Sequence, residues 1–294
     1  MTEYTSYDLV DWGAPMERRR QKMPEPTGPE VLLRVTAAGV CHSDLHIRKG
    51  YMDLGELGKL TFAERGAKLP MTFGHEVAGI VEALGPKAEG VEIGQQVLVF
   101  PWIGCGDCEA CQEDRESDCL SPNYVGLRQK GGFASHCIIS DAKFLIDITG
   151  LDAADMVPHA CSGLTVFNAL EKVGSMRPGE WLAILGVGGL GLNAVTIASA
   201  MGFQNIVGVD IDDAKLDAAH DMGATAVLNS RQDGAVEELK RLTDSKLMGQ
   251  SIRSAARQPP NWRSIAFPKA HATSSWDSMA ETSRCLRSGC RSER

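Results

Sequence analysis

Four cysteines, Cys105, Cys108, Cys111 and Cys119, fall in one short stretch with the spacing Cys-x2-Cys-x2-Cys-x7-Cys. Four thiolates in one loop match a closed tetrahedral zinc site in which protein fills every position. Such a site holds a loop rigid and leaves no coordination position for a substrate. It constrains the fold first: the loop must be carried on a framework, and any chemistry must lie elsewhere. Nine cysteines in 294 residues are too few for a disulfide scaffold. Their clustering fits metal binding in a reducing compartment, which places the protein in the cytoplasm.

The framework reads as two lobes and a tail. Residues 1–28 form a lead-in whose Arg18-Arg19-Arg20 run is a solvated surface feature. Residues 31–35, 76–84, 95–100 and 133–140 read as short strands punctuated by Gly and Pro, which suggests an all-β, barrel-like lobe over residues 1–155. From Asp152 the texture changes to helix, and residues 156–245 read as the second lobe. A helical stretch leads to strand, glycine loop and helix, then strand 206–210, helix 212–222, strand 224–228 and helix 234–242. That alternation is the signature of a parallel sheet with crossover helices. The uncharged run 181–201 is nearly long enough to span a bilayer. Four glycines in its first half make it a strand followed by a buried helix instead, and no membrane partner is expected. The N-terminus shows no basic region followed by an apolar run, so no signal peptide is read.

Residues 41–46 (CHSDLH) and 74–76 (GHE) carry the chemistry. A lone cysteine is usually a small buried apolar residue, and a lone histidine a satisfied core residue. Cys41, His75 and the later Cys161 together make two cysteines and one histidine, the ligand set of an open catalytic zinc. Zinc lowers the pKa of bound water to about 7, and a bound alcohol should respond in the same way. Ser43 can accept the alcohol proton and pass it to His46. Asp44 can hydrogen-bond a ligand imidazole, and Glu76 stands behind the metal beside His75. On their own, Ser43 and Asp44 also fit a turn or cap pair.

Residues 186–191 (GVGGLG) follow an apolar strand and open a helix, the context in which Gly-x-Gly-x-x-Gly reads as a dinucleotide site. Gly186 permits the tight turn, and Gly188 lets the backbone approach a pyrophosphate. Gly189 and Leu190 begin the helix, and Gly191 lets it pack on the sheet. The helix N-terminus supplies the anion site. Asp210 ends the next strand, where a carboxylate binds both ribose hydroxyls and repels a 2′-phosphate, so the choice is NAD over NADP. Lys215 can add a ribose contact, and His42 is placed at the pyrophosphate. Trp102 is a candidate pocket wall, and Cys137 is core.

These motifs, in this order over residues 25–244, resemble the zinc-dependent alcohol dehydrogenases of the medium-chain dehydrogenase/reductase family. The resemblance implies a GroES-like β lobe followed by a Rossmann domain, here an incomplete one, and a small-molecule alcohol or aldehyde substrate. It also implies two zincs. Cys41, His75 and Cys161 would hold the catalytic ion, and the four-cysteine loop the structural one. Thr165 would lie near the nicotinamide, and the family would be a homo-oligomer through its last Rossmann strands. The stretch 51–72 is longer than in many members, which leaves a polyol dehydrogenase open as the alternative.

The pattern stops at Asp244. No further strand is legible, and residues 246–294 hold nine Lys and Arg against three Asp and Glu. That local +6 leaves −14 on the preceding 245 residues, out of −8 in total, a balance that disfavours nucleic acid and anionic membranes. Back-translating residues 250–284 and reading one nucleotide earlier can restore strand–helix–strand text. Two of its glycines are forced by Trp276-Asp277 and Met279-Ala280. The expectation is a frameshift near Ser245–Lys246, a disordered out-of-frame tail, a first sheet strand lacking one neighbour, and an inactive chain that can still bind zinc. A non-catalytic zinc-binding fragment is the reading from a different class.

Overall fold

A computed structural model of the chain describes residues 3–55 and 58–253. It divides into two compact units, Met1–Cys161 and a second that begins at Ser162. In chain order the first unit carries β1 (Glu3–Leu9), β2 (Glu17–Lys22), β3 (Val31–Gly39), α1 (His42–Lys49), β4 (Tyr51–Asp53), β5 (Lys59–Thr61) and β6 (Met71–Thr72). It continues with β7 (Glu76–Leu84), β8 (Gln96–Val99), α2 (Glu109–Gln112), β9 (His136–Ile139), β10 (Leu145–Asp147), α3 (Ala153–Met156) and a 3-10 turn over Val157–Ala160.

An antiparallel sheet in the order β10-β8-β7-β3-β9 forms its frame. The period-two alternation of strands sends Val31, Leu33, Val77, Val81, Val97 and Val99 to one face, where they meet Ile139 and Phe144 in the core. The opposite face presents Ala78 and Leu98 to Ile148, Val157 and Ala160. That second cluster explains why the first unit runs to Cys161 rather than stopping at residue 155. The helical turns after Asp152 close the β lobe's second face and so belong to it.

The lead-in is more structured than its sequence suggests. Antiparallel β1 and β2 pair from Glu3↔Lys22 to Asp8↔Glu17, and β1 also pairs with β6. Arg18 to Arg20 therefore lie on an edge strand, where charge guards against pairing with other chains. The hairpin has a polar interior. Asp8 is buried, accepting from the Thr72 hydroxyl at 2.7 Å and from Gln21 Nε2 at 3.1 Å.

The second unit carries α4 (Ser162–Val173), β11 (Trp181–Leu185), α5 (Gly189–Ala200), β12 (Ile206–Asp210), α6 (Asp213–Asp221), β13 (Ala226–Asn229), α7 (Ala235–Leu242) and β14 (Leu247–Arg253). Its strands are parallel, in the order β13-β12-β11-β14. Both faces are covered, which is why β11 and β12 read as continuous apolar runs. Leu182, Ile184 and Ile206 face Val166, Leu170 and Val195. Ala183, Leu185, Val207 and Val209 face Leu228 and Leu239. No helix among the described residues is long and apolar enough to cross a membrane.

The expectation that the pattern ends at Asp244 needs correction. Strand β14 runs parallel beside β11, pairing Trp181↔Leu247 and then Ala183↔Ser251, Ile184↔Ile252 and Leu185↔Arg253. The glycine-loop strand thus has neighbours on both sides. Residues 247–253 (LMGQSIR) carry no apolar alternation that would mark a strand in the sequence. Two residues of β11 span four of β14 between the first two pairs, an irregularity in the stretch where the sequence pattern breaks. The expected out-of-frame tail beyond Arg253 lies outside the described residues.

Candidate functional site

The ends of two paired strands bring Cys41 and His75 together. Antiparallel β3 and β7 finish their pairing at Gly39↔Glu76. Cys41 lies two residues beyond that pair on one strand, and His75 one residue before it on the other. Cys161 arrives from the turn that caps Val157–Ala160, whose apolar residues pack on the same sheet. The donor atoms of Cys41, His75, Glu76 and Cys161 all lie within 4.8 Å of one another. The Glu76 carboxylate, expected behind the metal, lies within that same distance of the other three donor atoms. A β-carbon added to Gly39 would stand 2.1 Å from Glu76 Oε2, so only glycine leaves room for that carboxylate.

Asp44 organises the two sequence-adjacent ligands. It is 2% exposed on α1, and its oxygens divide the work. Oδ2 accepts the Cys41 backbone N–H at 2.8 Å, and Oδ1 bonds His75 Nδ1 at 3.2 Å. With Nδ1 so engaged, Nε2 is the imidazole atom left for a metal.

The ionisable groups of the cluster shift one another strongly. Cys41 is held down to about 3 by the hydrogen bond from Cys161, with His75 and the Ser43 amide adding to it against burial. Cys161 is pushed above the ordinary thiol range, by its bond to Cys41 first and by burial second. Burial alone would lower His75, yet Asp44 and then Cys41 raise it to about 10. Burial, followed by the neighbouring Cys41 charge, raises Glu76 to about 7.

Sulfur spacing tests whether zinc fits. Tetrahedral Zn–S bonds of about 2.3 Å set sulfurs about 3.8 Å apart. Cys41 Sγ and Cys161 Sγ are 3.7 Å apart. In the four-cysteine loop, Cys105–Cys111 is 3.9 Å, Cys108–Cys111 3.5 Å and Cys108–Cys119 3.8 Å. Both sets fit a tetrahedral ion and are far too long for a disulfide. Backbone amides already address the loop sulfurs. The Cys105 N–H donates to Cys119 Sγ at 3.3 Å, and the Asp107 amide leads the groups that hold Cys105 down to about 6.

Ser43 and His46 stand three residues apart on α1, both half-buried. The His46 and His42 rings meet edge to face at 4.8 Å. Burial, then the neighbouring His42 and Lys49, lower the His46 pKa, which favours the neutral imidazole that can accept a proton. Trp102 packs edge-on against Tyr124 at 5.0 Å. Cys137 is core, and burial pushes its thiol up to about 12.

In the second unit the glycine loop takes the expected form. Gly186 has φ +88°, and a β-carbon on Gly191 would lie 2.0 Å from the Gly186 carbonyl oxygen. Added β-carbons on Gly188 and Gly189 would meet nothing within 4 Å, so the backbone there is open to a ligand. Leu190 lies in the first turn of α5, and Thr165 is half-buried on α4. Lys215 is exposed on α6. Asp210 ends β12 with its carboxylate turned to the loop, accepting the Val187 N–H at 2.9 Å, a link the sequence did not reveal.

Comparison with known proteins adds to this geometry. The alcohol dehydrogenase GroES-like domain model matches residues 27–150, and the zinc-binding dehydrogenase model matches residues 189–264. Over 240 residues the chain is 39% identical to an NAD-dependent alcohol dehydrogenase of Saccharolobus solfataricus, covering 81% of this chain and 67% of that protein. Identity to an NAD-dependent alcohol dehydrogenase of Sulfurisphaera tokodaii is 38%, with the same coverage. Among solved structures, the alcohol dehydrogenase of Aeropyrum pernix superposes with a TM-score of 0.73 at 26% identity, covering 97% of this chain and 90% of that one. The chain spans about two thirds of the length of the curated relatives it matches.

Proposed function

The chain belongs to the zinc-dependent alcohol dehydrogenases of the medium-chain dehydrogenase/reductase family, and from that premise we propose that Cys41, His75 and Cys161 hold its catalytic zinc. Cys105, Cys108, Cys111 and Cys119 hold the structural one. The observation that carries this reading is the convergence of the three ligands on one point, with Cys41 and Cys161 spaced for tetrahedral zinc and Asp44 bridging the other pair.

The reaction is hydride transfer from an alcohol to NAD, giving an aldehyde or ketone. Bound at the three ligands, zinc supplies a Lewis acid that makes an alcohol proton easier to lose. The chain's residues do the rest. Asp44 fixes the His75 tautomer and the Cys41 backbone. Ser43 takes the alcohol proton, and His46, its pKa lowered by burial and by its neighbours, receives it. Gly186 to Gly191 and the first turn of α5 receive the NAD pyrophosphate. Asp210 takes the adenosine ribose, Lys215 flanks it, and Thr165 serves the nicotinamide. Cysteines clustered at metal-ligand spacing support a cytoplasmic setting, and the acidic net charge supports a protein without nucleic-acid or membrane partners. The family's homo-oligomeric state is the starting expectation for assembly.

The test is a zinc-loaded preparation assayed with NAD and a panel of primary alcohols, secondary alcohols and polyols. Turnover of any of them that disappears in Cys41→Ala supports the reading, and the preferred alcohol separates simple from polyol substrates. One zinc per chain with no NAD binding would instead mark the chain as a non-catalytic zinc-binding fragment.

A further inference from the structure

We infer that Asp210 is the positioning residue of the glycine loop: its carboxylate pins the Val187 amide and so sets the turn before any ribose arrives. The inference rests on reading residues 186–191 as the cofactor loop, and it assigns Asp210 a second role beside that of ribose ligand.

The pin is built from several bonds. Leu185 pairs with Val209 at the ends of β11 and β12, and the Gly186 N–H donates to the Val209 carbonyl at 2.7 Å. The next amide, that of Val187, donates to Asp210 Oδ2 at 2.9 Å. Asp210 Oδ1 accepts from the Ile211 N–H at 2.7 Å and the Asp212 N–H at 3.2 Å. The strand's own C-terminal turn therefore fixes the carboxylate, and the carboxylate in turn fixes the loop. Val187 is fully buried, so its amide has no route to bulk water while the loop holds its shape. Without Asp210 that N–H would be a buried donor lacking an acceptor, a state folded chains avoid.

A carboxylate offers about four lone-pair positions. Three backbone N–H groups use three of them here. A ribose with two hydroxyls to donate finds about one vacant position, and a second bond must be shared with an amide. Most of the carboxylate's hydrogen bonding thus goes to holding the cradle. Replacing Asp210 with a small residue, the obvious way to admit a 2′-phosphate, should release the loop and weaken every phosphate-bearing ligand, including those without ribose.

The first test is residue-resolved amide exchange on the full chain without cofactor. In Asp210→Ala the Val187 amide should exchange roughly 10- to 100-fold faster, the loss expected for a hydrogen bond to a charged acceptor, while the amides of residues 182–185 keep their protection. Asp210→Asn serves if the alanine variant does not fold. Its single side-chain oxygen can serve either Val187 or the Ile211 turn but not both, so at least one of the Val187, Ile211 and Asp212 amides should exchange faster. An unchanged Val187 rate in a folded alanine variant, or unchanged rates at all three amides in the asparagine variant, overturns the inference. The second test titrates inorganic pyrophosphate, which has no ribose. Removing a negative charge should tighten it several-fold if Asp210 acts only on ribose and by charge, and that result overturns the pin. Weakening supports it. Fast Val187 exchange in the variant, together with no pyrophosphate binding to the unaltered chain, supports the pin and defeats the cofactor reading alone.

Discussion

Replacing Asp44 with alanine should separate the two zinc sites. Asp44 is 2% exposed, and its two oxygens serve the Cys41 backbone N–H at 2.8 Å and His75 Nδ1 at 3.2 Å. Hydrogen bonds to a charged acceptor are worth about 1.5–3 kcal/mol each, so losing both sets a ceiling of roughly 3–6 kcal/mol. Water entering the vacated space recovers part of that, since the His75 side chain is 12% exposed. The expected loss is therefore nearer the 10- to 100-fold, about 1.4–2.8 kcal/mol, typical of groups that orient metal ligands. The assay is zinc competition against a chromophoric chelator, with the four-cysteine loop as an internal control. One zinc should weaken by that factor and the other should be unmoved, with thermal unfolding of the zinc-loaded variant confirming the fold. Two zincs at unaltered affinity in Asp44→Ala would refute the claim that Asp44 positions Cys41 and His75. Equal weakening of both would show a general loss of structure instead.

Four further outcomes are expected. Zinc uptake at the Cys41 site should release protons near pH 7, because His75 is raised to about 10 and Cys161 lies above the usual thiol range, so both give up protons to become ligands. Affinity should therefore fall as pH falls, and calorimetry in buffers of different ionisation enthalpy reads the proton count. Gly191→Ala should cost at least about 1–3 kcal/mol, because its β-carbon would lie 2.0 Å from the Gly186 carbonyl oxygen; denaturant unfolding measures it. Ile184→Ala, fully buried in the second unit, should cost about 2–5 kcal/mol, whereas Ile93→Ala, 67% exposed, should stay within about 0.5 kcal/mol. Arg128→Ala should speed exchange of the amides in residues 63–67, because the guanidinium donates to the Arg65 carbonyl at 2.8 and 3.1 Å and to the Ser121 hydroxyl at 3.0 Å.

Where chemistry needs fixed residue types at short spacing, the candidate site was legible in the sequence. The four-cysteine loop and the glycine loop are local, and each carries its ligands within one stretch. Cys41, His75 and Cys161 are far apart in sequence, and only their combined identities suggested a cluster. The structure supplies the reason, the Gly39↔Glu76 end of one strand pair with a helical turn packed beside it. The approach of the Glu76 carboxylate to the other three donor atoms was not legible, because it depends on the turn before β7, where Gly74 has φ +96°. The β1–β2 hairpin escaped notice because its buried side chains include Ser6 and Asp8, satisfied by Gln21 and Thr72 rather than by apolar contact. Strand β14 pairs through backbone groups, which every residue carries and no side-chain pattern records, and the Val187–Asp210 bond joins one such group to a carboxylate already read as a ribose ligand.

Zinc per chain, measured by mass spectrometry of the purified 294-residue protein and its Cys161→Ala variant, tests the central claim most directly. Two distinct metal sites, one of them completed by a cysteine 120 residues from its partner Cys41, predict two zincs in the first protein and one in the second. A single zinc in the unaltered chain, or two zincs retained at full affinity without Cys161, would contradict the account.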